Sequence, residues 1–393
     1  MRFLFFVCLL SSISKIIIAQ EFSFETILTS RPILKKVSSN AKKYRLQIIY
    51  TQINRDASGK PSFKDYTYRL DSDYFYCASL VKLPVSILAL EKTKDLRVQS
   101  SAIMFTDSAN ACQHKVTKDT TSKNGYPSIA QYIKRMALVS DNFAYGRVYE
   151  FLGVDYIHNR LNELGFSKTR IVHRFDGGCS GKEHVITNPV TFYKKDLSPL
   201  LSLDQQIATK TYENPLGIVK VGKAYINAKN KKINEPKDFT QMNYLPLSEV
   251  HLMLQKLIFN NYLPLEQRYD VIEEDRESLI NQLTLYPRES SYPTYNTKTY
   301  YDSYKKYFIY GDTKKMITNS DIKITNIVGQ SYGFMADCAY IKNETKGIEF
   351  MLSAVIYTNE DEIINDGKYE YNTIALPFLA ELGRQIYNYE LKR

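Results

Sequence analysis

The first hydrophobic pattern in the chain predicts a β-hairpin preceded by a helix. Residues 44–53, YRLQIIYTQI, are rich in β-branched side chains and alternate between apolar and polar positions, which is typical of a strand. Residues 56–62 contain the Gly and Pro of a turn, and residues 63–71 predict the returning strand. An apolar stripe over residues 24–38 predicts a helix before the hairpin.

The next segment predicts a helix that lies inside the domain. Residues 80–90 are almost entirely apolar, and a helix that is apolar on every face is a buried one. Pro84 belongs in or near the first turns, because a proline deeper in a helix removes a hydrogen bond. Ser79 is therefore expected at or close to the helix N-terminus.

The middle of the chain predicts several further helices. They span residues 128–138, 143–152, 153–165 and 245–261, with Ser128 as an N-cap and Gly165 as a C-cap. Residues 195–245 are otherwise polar and loop-like, with one strand expected over 217–226. Residues 270–310 are rich in Tyr and charge and are expected to be helical in part.

The last third of the chain returns to the strand pattern. Residues 321–341 and 347–359 predict two or three strands, and residues 372–391 predict a closing helix. Strands from both ends of the chain can form one sheet flanked by the terminal helices. The predicted fold class is therefore α+β, an antiparallel sheet with N- and C-terminal helices plus an all-helical lobe.

This order of elements also predicts the domain organisation. The sheet lobe comprises residues 21–76 and 320–393, and the helical lobe comprises residues 77–319. A cleft between two lobes is a natural ligand site.

Residues 1–20, MRFLFFVCLLSSISKIIIAQ, are typical of a secretory signal. Arg2 provides the positive start, residues 3–10 are almost wholly apolar, and cleavage is expected near Ala19 or Gln20. The apolar run is too short to span a bilayer. A non-cleaved anchor is the alternative. The expected location is periplasmic or secreted, with no membrane span after cleavage.

Composition and charge exclude some functions. The apolar fraction of 44% is ordinary for a globular protein. The net charge is +10, and it falls by two to +8 without Arg2 and Lys15. Because Lys and Arg are scattered among Asp and Glu, no nucleic-acid partner is expected.

Four cysteines follow the signal, at positions 77, 112, 179 and 338. They form no C-x-x-C pair and there is no His cluster, so no metal site is expected. An exported protein could join them in up to two disulfides, with three possible pairings. Four buried free thiols are the alternative.

Ser79 and Lys82 have the spacing of a nucleophile and its base. A serine hydroxyl is a weak nucleophile without a neighbouring base, and residues three apart lie on one helix face. A lysine buried in an apolar helix has a lowered pKa and can act as a neutral amine. An ordinary N-cap serine is the alternative. The same spacing also begins at Ser12, Ser39, Ser303 and Ser320, none of which starts an apolar helix.

A Ser-Asp-Asn tripeptide follows 61 residues after Ser79, at Ser140, Asp141 and Asn142. The hydroxyl of Ser140 can relay a proton to a leaving nitrogen, and the amide of Asn142 can orient a substrate carbonyl. Asp141 is expected to cap the helix that follows.

Together these motifs resemble those of the class A β-lactamases, within the penicillin-recognising serine hydrolases. The similar stretches include FYCASLVKLPVSILALE, LVSDNFAYGRVYEFLG and LNELGFSKTRI. The resemblance covers most of residues 21–393 except insertions near 191–245 and 280–318. It implies that Ser79 attacks a lactam carbonyl, that Lys82 takes its proton, and that Ser140 protonates the departing nitrogen. It implies a small-molecule β-lactam or cell-wall-derived substrate and no cofactor.

The chain departs from the family pattern at the third motif, Lys-Thr/Ser-Gly. The aligned residues are Ile327, Val328 and Gly329. Ile327 cannot supply a positive charge for a substrate carboxylate. Gly329 and Gln330 are expected to bind substrate, with the backbone N–H of Gln330 completing an oxyanion hole.

A second departure concerns the carboxylate that would activate water for deacylation. Asp176, after Arg174 and Phe175, falls in the place of the family's acid, although the stretch is one residue longer. A turn residue is the alternative reading of Asp176, and Glu183 is the second candidate.

The predicted function is a secreted serine hydrolase of β-lactamase type. The alternatives are a hydrolase or transpeptidase of another acyl substrate, such as a peptidoglycan peptide or ester, and a non-catalytic envelope protein of the same fold.

Overall fold

A computed structural model describes residues 21–109, 112–175, 178–318 and 321–393. The predicted signal at residues 1–20 lies outside the described residues. The α-helices are α1 (Phe24–Thr29), α2 (Pro32–Ser38), α3 (Lys82–Asp95), α4 (Ile129–Val139), α5 (Asn142–Leu152), α6 (Val154–Glu163), α7 (Leu247–Ile258), α8 (Glu273–Thr284) and α9 (Leu376–Glu390).

The strands are β1 (Gln47–Arg55), β2 (Pro61–Tyr68), β3 (Ile103–Thr106), β4 (Val190–Tyr193), β5 (Pro199–Leu203), β6 (Lys220–Val221), β7 (Ala224–Ile226), β8 (Lys232–Ile233), β9 (Lys237–Asp238), β10 (Lys323–Ser331), β11 (Phe334–Asn343), β12 (Ile348–Tyr357) and β13 (Ile363–Ile364). The main sheet has the order β10-β11-β12-β1-β2, and every neighbouring pair is antiparallel. Strands from the two ends of the chain meet where β12 pairs with β1. The predicted α+β class with an antiparallel sheet is confirmed. The lobe predicted to be all-helical, residues 77–319, is helical only in part, because it also contains β3 to β9.

Apolar side chains are buried on both faces of this sheet. Along β1, Ile48 and Tyr50 pack on the side of α1, α2 and α9, whereas Ile49 packs on the side of α3 and α7. This alternation follows from the period of two in a β-strand. The apolar helix α3 is buried along nearly its whole length, as its sequence predicts. Pro84 is its third residue, within the first turn.

The single helix predicted over residues 24–38 is wrong, because the chain forms α1 and α2 with a break between them. Arg31 has an extended conformation, with φ −139° and ψ 148°, and Pro32 begins α2. A proline disfavours helical geometry in the residue before it and cannot donate its own backbone hydrogen bond. The helix therefore ends and restarts at this point.

The loop-like description of residues 195–245 is also incomplete. Short strands β5 to β9 lie in this range, and the single strand expected over 217–226 is divided into β6 and β7. Gly222, between them, has a φ of 76°, which glycine adopts without steric cost. Such short strands carry too little periodic pattern to stand out in the sequence.

The four cysteines form one disulfide and leave two free thiols, which lies between the two alternatives of two disulfides and four free thiols. Cys112 and Cys179 form a disulfide, whereas Cys77 and Cys338 are buried free thiols. None of the helices within the described ranges is both long and apolar enough to cross a membrane.

Candidate active site

Ser79 lies in a turn of 3-10 helix, Ala78–Val81, that runs directly into α3. Its neighbours Ala78, Leu80 and Val81 are buried, whereas Ser79 is partly exposed. Ala78 has a φ of 45°, a left-handed conformation that is strained for a residue with a side chain. Among the residues of this turn, Ser79 alone lines the cavity described below.

Lys82, the first residue of α3, connects Ser79 to the Ser-Asp-Asn turn. Its side chain is buried, and its Nζ lies 2.8 Å from Ser79 Oγ and 3.0 Å from Ser140 Oγ. The same nitrogen donates to the backbone carbonyl of Ser140 at 2.6 Å and to Asn142 Oδ1 at 2.7 Å. One amine thus contacts three of the predicted site residues.

The chemistry of these partners decides what a neutral Lys82 can do. A carbonyl oxygen and an amide oxygen can only accept hydrogen bonds. A neutral amine has two N–H groups, and both are used by the Ser140 carbonyl and by Asn142. Its lone pair is then left for the hydroxyls of Ser79 and Ser140, each of which can donate a proton to it.

The surroundings of Lys82 favour this neutral form. Burial lowers its pKa from 10.5 to about 7, because the charged form loses its hydration. The nearby carboxylate of Asp141 raises the pKa and partly opposes this effect, and Lys305 adds a smaller lowering. A base whose pKa lies near neutrality suits proton transfer at physiological pH.

The Ser-Asp-Asn tripeptide forms the turn between α4 and α5. Ser140 ends α4 with a left-handed φ of 57°, and both of its oxygens face Lys82. Asp141 caps α5 by accepting from the backbone N–H of Ala144 at 3.0 Å, and it pairs with Arg135 at 2.8 Å. The predicted capping role of Asp141 is confirmed.

The edge strand β10 packs directly against the Ser79 turn at Gly329. A Cβ atom added to Gly329 would lie 2.5 Å from the backbone carbonyl oxygen of Cys77 and 3.2 Å from a side-chain carbon of Leu80. Any larger residue would push the strand away from the Ser79 turn. Gly329 is therefore required for this close approach.

The residues around Gly329 alternate between the core and the cavity. Ile327 is buried in the core that contains α3, so no charge lies at the position of the family lysine. Val328 and Gln330 line the cavity beside Ser79. The side-chain oxygen of Gln330 accepts a hydrogen bond from the hydroxyl of Tyr307 at 3.4 Å.

Of the two candidate deacylating carboxylates, the structure describes only Glu183. Asp176 lies outside the described residues. Glu183 accepts from the backbone N–H of Ser180 at 2.8 Å in a capping box, and it does not line the cavity. The ring of Phe175, which precedes Asp176, lies 5.5 Å from Lys82 Nζ.

The segment on either side of Asp176 is attached firmly to the rest of the domain. Arg174 donates to the buried carboxylate of Glu150 at 3.1 Å. Cys179 is joined to Cys112 by the disulfide. One end of this stretch is therefore attached to α5, and the other end is attached to Cys112.

Ser79, Ser140 and Asn142 open onto a cavity of about 270 Å³. Its lining also includes four tyrosines and a lysine that the sequence analysis did not identify: Tyr301, Tyr304, Tyr307, Tyr371 and Lys305. No Asp or Glu occurs among the described lining residues. The described ranges also contain no group of three or more His, Cys, Asp or Glu side chains that could hold a metal ion.

The only sequence signal for Lys305 is a Lys-Lys pair within a Tyr-rich insertion. Its neighbour Lys306 belongs to a second Ser-x-x-Lys match, with Ser303. In the structure Ser303 donates to the carbonyl of Thr313, and Lys306 faces the sheet. That match does not form a nucleophile pair, and spacing alone could not separate it from Ser79 and Lys82.

Comparison with known proteins identifies a family for the chain. A sequence model of the β-lactamase enzyme family matches residues 33–273, which is more than half of the chain. No curated protein matches the chain.

Several solved β-lactamase structures are similar to the chain. The class A β-lactamase of Clostridium kluyveri DSM 555 has 14% identity and a TM-score of 0.46, over 90% of this chain and 97% of that one. The chromosome-encoded β-lactamase of Vibrio parahaemolyticus has 12% identity and a TM-score of 0.48, over 91% and 98%. The β-lactamase of Sphaerobacter thermophilus DSM 20745 has 11% identity and a TM-score of 0.48, over 89% and 92%.

The family match spans Ser79, Lys82, Ser140 and Asn142 and ends before Lys305 and β10. From this match we conclude that the chain belongs to the β-lactamase enzyme family and is a β-lactamase-like serine hydrolase.

Proposed function

We propose that the chain is an exported enzyme that opens the amide bond of β-lactams through an acyl-enzyme on Ser79. One observation carries the proposal. The buried amine of Lys82 lies within 3.0 Å of the hydroxyls of both Ser79 and Ser140. Its lowered pKa of about 7 allows it to accept a proton near neutral pH.

In the acylation step, the Ser79 Oγ attacks the lactam carbonyl carbon and transfers its proton to the neutral Lys82 Nζ. The carbonyl then re-forms as the C–N bond breaks. Lys82 returns the proton to Ser140, whose hydroxyl delivers its own proton to the departing nitrogen. The ring opens, no group is lost, and Ser79 carries the ester.

Two further groups would hold the substrate carbonyl and side chain during this step. The backbone N–H groups of Ser79 and Gln330 are proposed as the oxyanion hole, because Gly329 brings β10 against the Ser79 turn. The exposed amide of Asn142 is proposed to orient the acyl side chain of the substrate. Its Oδ1 also accepts from Lys82, so its position is coupled to that of the base.

Deacylation requires a water molecule and a base. Asp176 is proposed for this role, since it follows Phe175, whose ring lies 5.5 Å from Lys82 Nζ. Glu183 is less suited, because its carboxylate is engaged by Ser180. An aspartate has a shorter side chain than the glutamate of the family, so deacylation is expected to be the slower step.

Export and the division into lobes belong to the same proposal. The proposed signal at residues 1–20 would direct the chain to the periplasm or out of the cell. The substrate cleft would then lie between the sheet lobe, residues 21–76 and 320–393, and the helical lobe, residues 77–319.

A second candidate function is acyl transfer on a peptidoglycan peptide or ester. The aspartate in the place of the family's glutamate favours it, since an acyl-enzyme that reacts slowly with water can react with another acceptor.

Steady-state hydrolysis of a chromogenic cephalosporin tests the proposal. The wild-type chain is expected to turn over the substrate many times per molecule, and Ser79→Ala is expected to show none above background. A single stoichiometric burst without turnover would favour the second candidate. Equal turnover by Ser79→Ala would contradict the nucleophile assignment.

A further inference from the structure

The cavity beside Ser79 contains a buried lysine, Lys305, that has no hydrogen-bond or ion-pair partner among the described residues. Lys305 is 3% exposed and lines the cavity with Ser79, Ser140 and Tyr304. In the described part of the chain, its Nζ makes no hydrogen bond and has no carboxylate within 4.0 Å. It is nevertheless close enough to Lys82 for its charge to lower the pKa of that residue.

The adjacent residue, Lys306, has the hydrogen bonds expected of a lysine with a structural role. Lys306 Nζ donates to the carbonyls of Leu283 and Ile324, each at 2.6 Å, and to Asn326 Oδ1 at 2.8 Å. Three buried acceptors thus surround its Nζ. Lys305 has none of these contacts, so packing and hydrogen bonding do not account for it.

The backbone around Lys305 is held rigidly against the sheet. The amide of Asn326 on β10 donates to the carbonyl of Lys305 at 2.5 Å and to Asp337 on β11 at 2.8 Å. Asp337 also accepts from the backbone N–H groups of Tyr307 and Phe308, at 3.1 and 3.2 Å. Lys305 is therefore fixed at the cavity wall rather than carried on a loose insertion.

Helix α9 contributes to the same attachment. A Cβ added to Gly383 would lie 2.7 Å from the backbone nitrogen of Ile309 and 2.9 Å from the side chain of Phe308. Glycine at this position lets the segment that follows Lys305 pack against the helix. Arg384 donates to the carbonyl of Ile309 at 2.8 Å and secures the contact.

A buried amine without a partner is costly, because its charged form has lost its hydration. Burial lowers the pKa of Lys305 to about 7, and only the neighbouring Asp337 opposes this. A bound anion would restore a partner for the charged form. Unpaired buried charges in a ligand cavity are a common mark of function.

We propose that Lys305 is the specificity-determining cation of the site and binds a carboxylate of the substrate next to the scissile amide. The inference rests on the proposed function. Ile327 cannot provide this charge from β10, and Lys305 provides it from a different element, the insertion before that strand. The chain is thus expected to prefer acyl substrates whose reacting amide lies beside a carboxylate.

Benzylpenicillin and its methyl ester test the inference, because the two differ only in the carboxylate. Acylation rate constants at pH 7 are measured by quenched-flow intact mass for wild type, Lys305→Met and Lys305→Gln. The exposed Lys315 of the same insertion provides the matched control, Lys315→Met. Thermal unfolding of each variant is measured in parallel.

We expect both Lys305 variants to lose about 10- to 150-fold in the rate with benzylpenicillin, the range for a hydrogen bond to a charged group. Their rate with the methyl ester should fall by only about threefold or less. This smaller effect is shared by both substrates, because loss of the Lys305 charge raises the pKa of Lys82 and lowers the fraction of neutral base at pH 7. Lys305→Met should unfold at the same temperature as wild type or higher, because it removes an unpaired buried amine. Lys315→Met should match wild type throughout.

Three results with the Lys305 variants would overturn the inference. The first is an equal loss with the acid and the ester, and the second is no loss with either. The third is a lower unfolding temperature in Lys305→Met, which would give Lys305 a structural role. If wild type is acylated by neither compound, the proposed function itself is contradicted and the inference is rejected with it. Normal acylation of wild type by both compounds at equal rates rejects the inference alone.

Discussion

The pH dependence of acylation follows from the burial of Lys82. An unshifted lysine with a pKa of 10.5 would be neutral in only about 0.03% of molecules at pH 7. With a pKa of about 7, half of the molecules carry the neutral base at that pH. Burial thus raises the active fraction by roughly 1500-fold.

The acylation rate is expected to increase as the pH rises. Protonation removes the lone pair of Lys82, so the rate should fall about tenfold per pH unit well below the pKa. Relative to its plateau above about pH 8, the rate should be about 10% at pH 6 and about 1% at pH 5. The methyl ester of benzylpenicillin is the substrate of choice, because its binding does not require the charge of Lys305.

The assay is single-turnover acylation between pH 5 and 9, followed by intact mass. Lys82→Arg cannot lose its proton at any of these pH values and should be slower by about 10²–10⁴-fold throughout. Lys92→Met serves as a control. Lys92 is also buried in α3 with a pKa lowered to about 8, but it contacts the carbonyls of Phe151 and Leu152. Its loss should reduce stability and leave the pH profile unchanged.

Two outcomes would refute this reasoning. A rate that does not change between pH 5 and 9 would mean that no group with a pKa near 7 controls the attack. A wild-type profile retained in Lys82→Arg would mean that the controlling group is not Lys82.

Three further predictions concern the framework of the site. Gly329→Ala should slow acylation at least tenfold in single-turnover assays, because the new Cβ would meet the Cys77 carbonyl at 2.5 Å; an unchanged rate would show that β10 can shift freely. Replacing Cys112 and Cys179 by serine should lower the free energy of unfolding in urea by about 4 kcal/mol, since the disulfide spans 67 residues; an identical midpoint would argue against the bond. Lys306→Met should cost about 1–3 kcal/mol in the same assay, because it leaves neutral buried acceptors unpaired. No loss would contradict the assigned contacts.

Local patterns were sufficient to predict the part of the site that is close in sequence. The helix after Ser79 is apolar on every face, so its sequence predicts that it is buried. Lys82 lies in this helix, and its burial is predicted with it. The Ser-Asp-Asn tripeptide likewise contains its own cap and turn. Pairing these two motifs required the family resemblance, because nothing in the segment between them specifies the contact.

The tyrosines and the lysine that line the cavity could not be predicted in this way. Lys305 and Lys306 are adjacent and chemically identical, yet one faces the cavity and the other faces the sheet. What separates them is a set of partners on β10 and β11, including Asn326 and Asp337, whose side chains are 20 or more residues away in sequence. Periodicity describes which face of an element is buried and carries no information about such long-range polar contacts.

The central claim is that Ser79 is the nucleophile, and it is tested most directly by intact mass after brief incubation with benzylpenicillin. Wild type is predicted to gain the mass of one whole penicillin, and peptide mapping should place the addition on Ser79. Ser79→Ala should gain none, although its fold is expected to be intact. An adduct that persists in Ser79→Ala, or the absence of any adduct with penicillins and fluorophosphonates in wild type, would contradict the account.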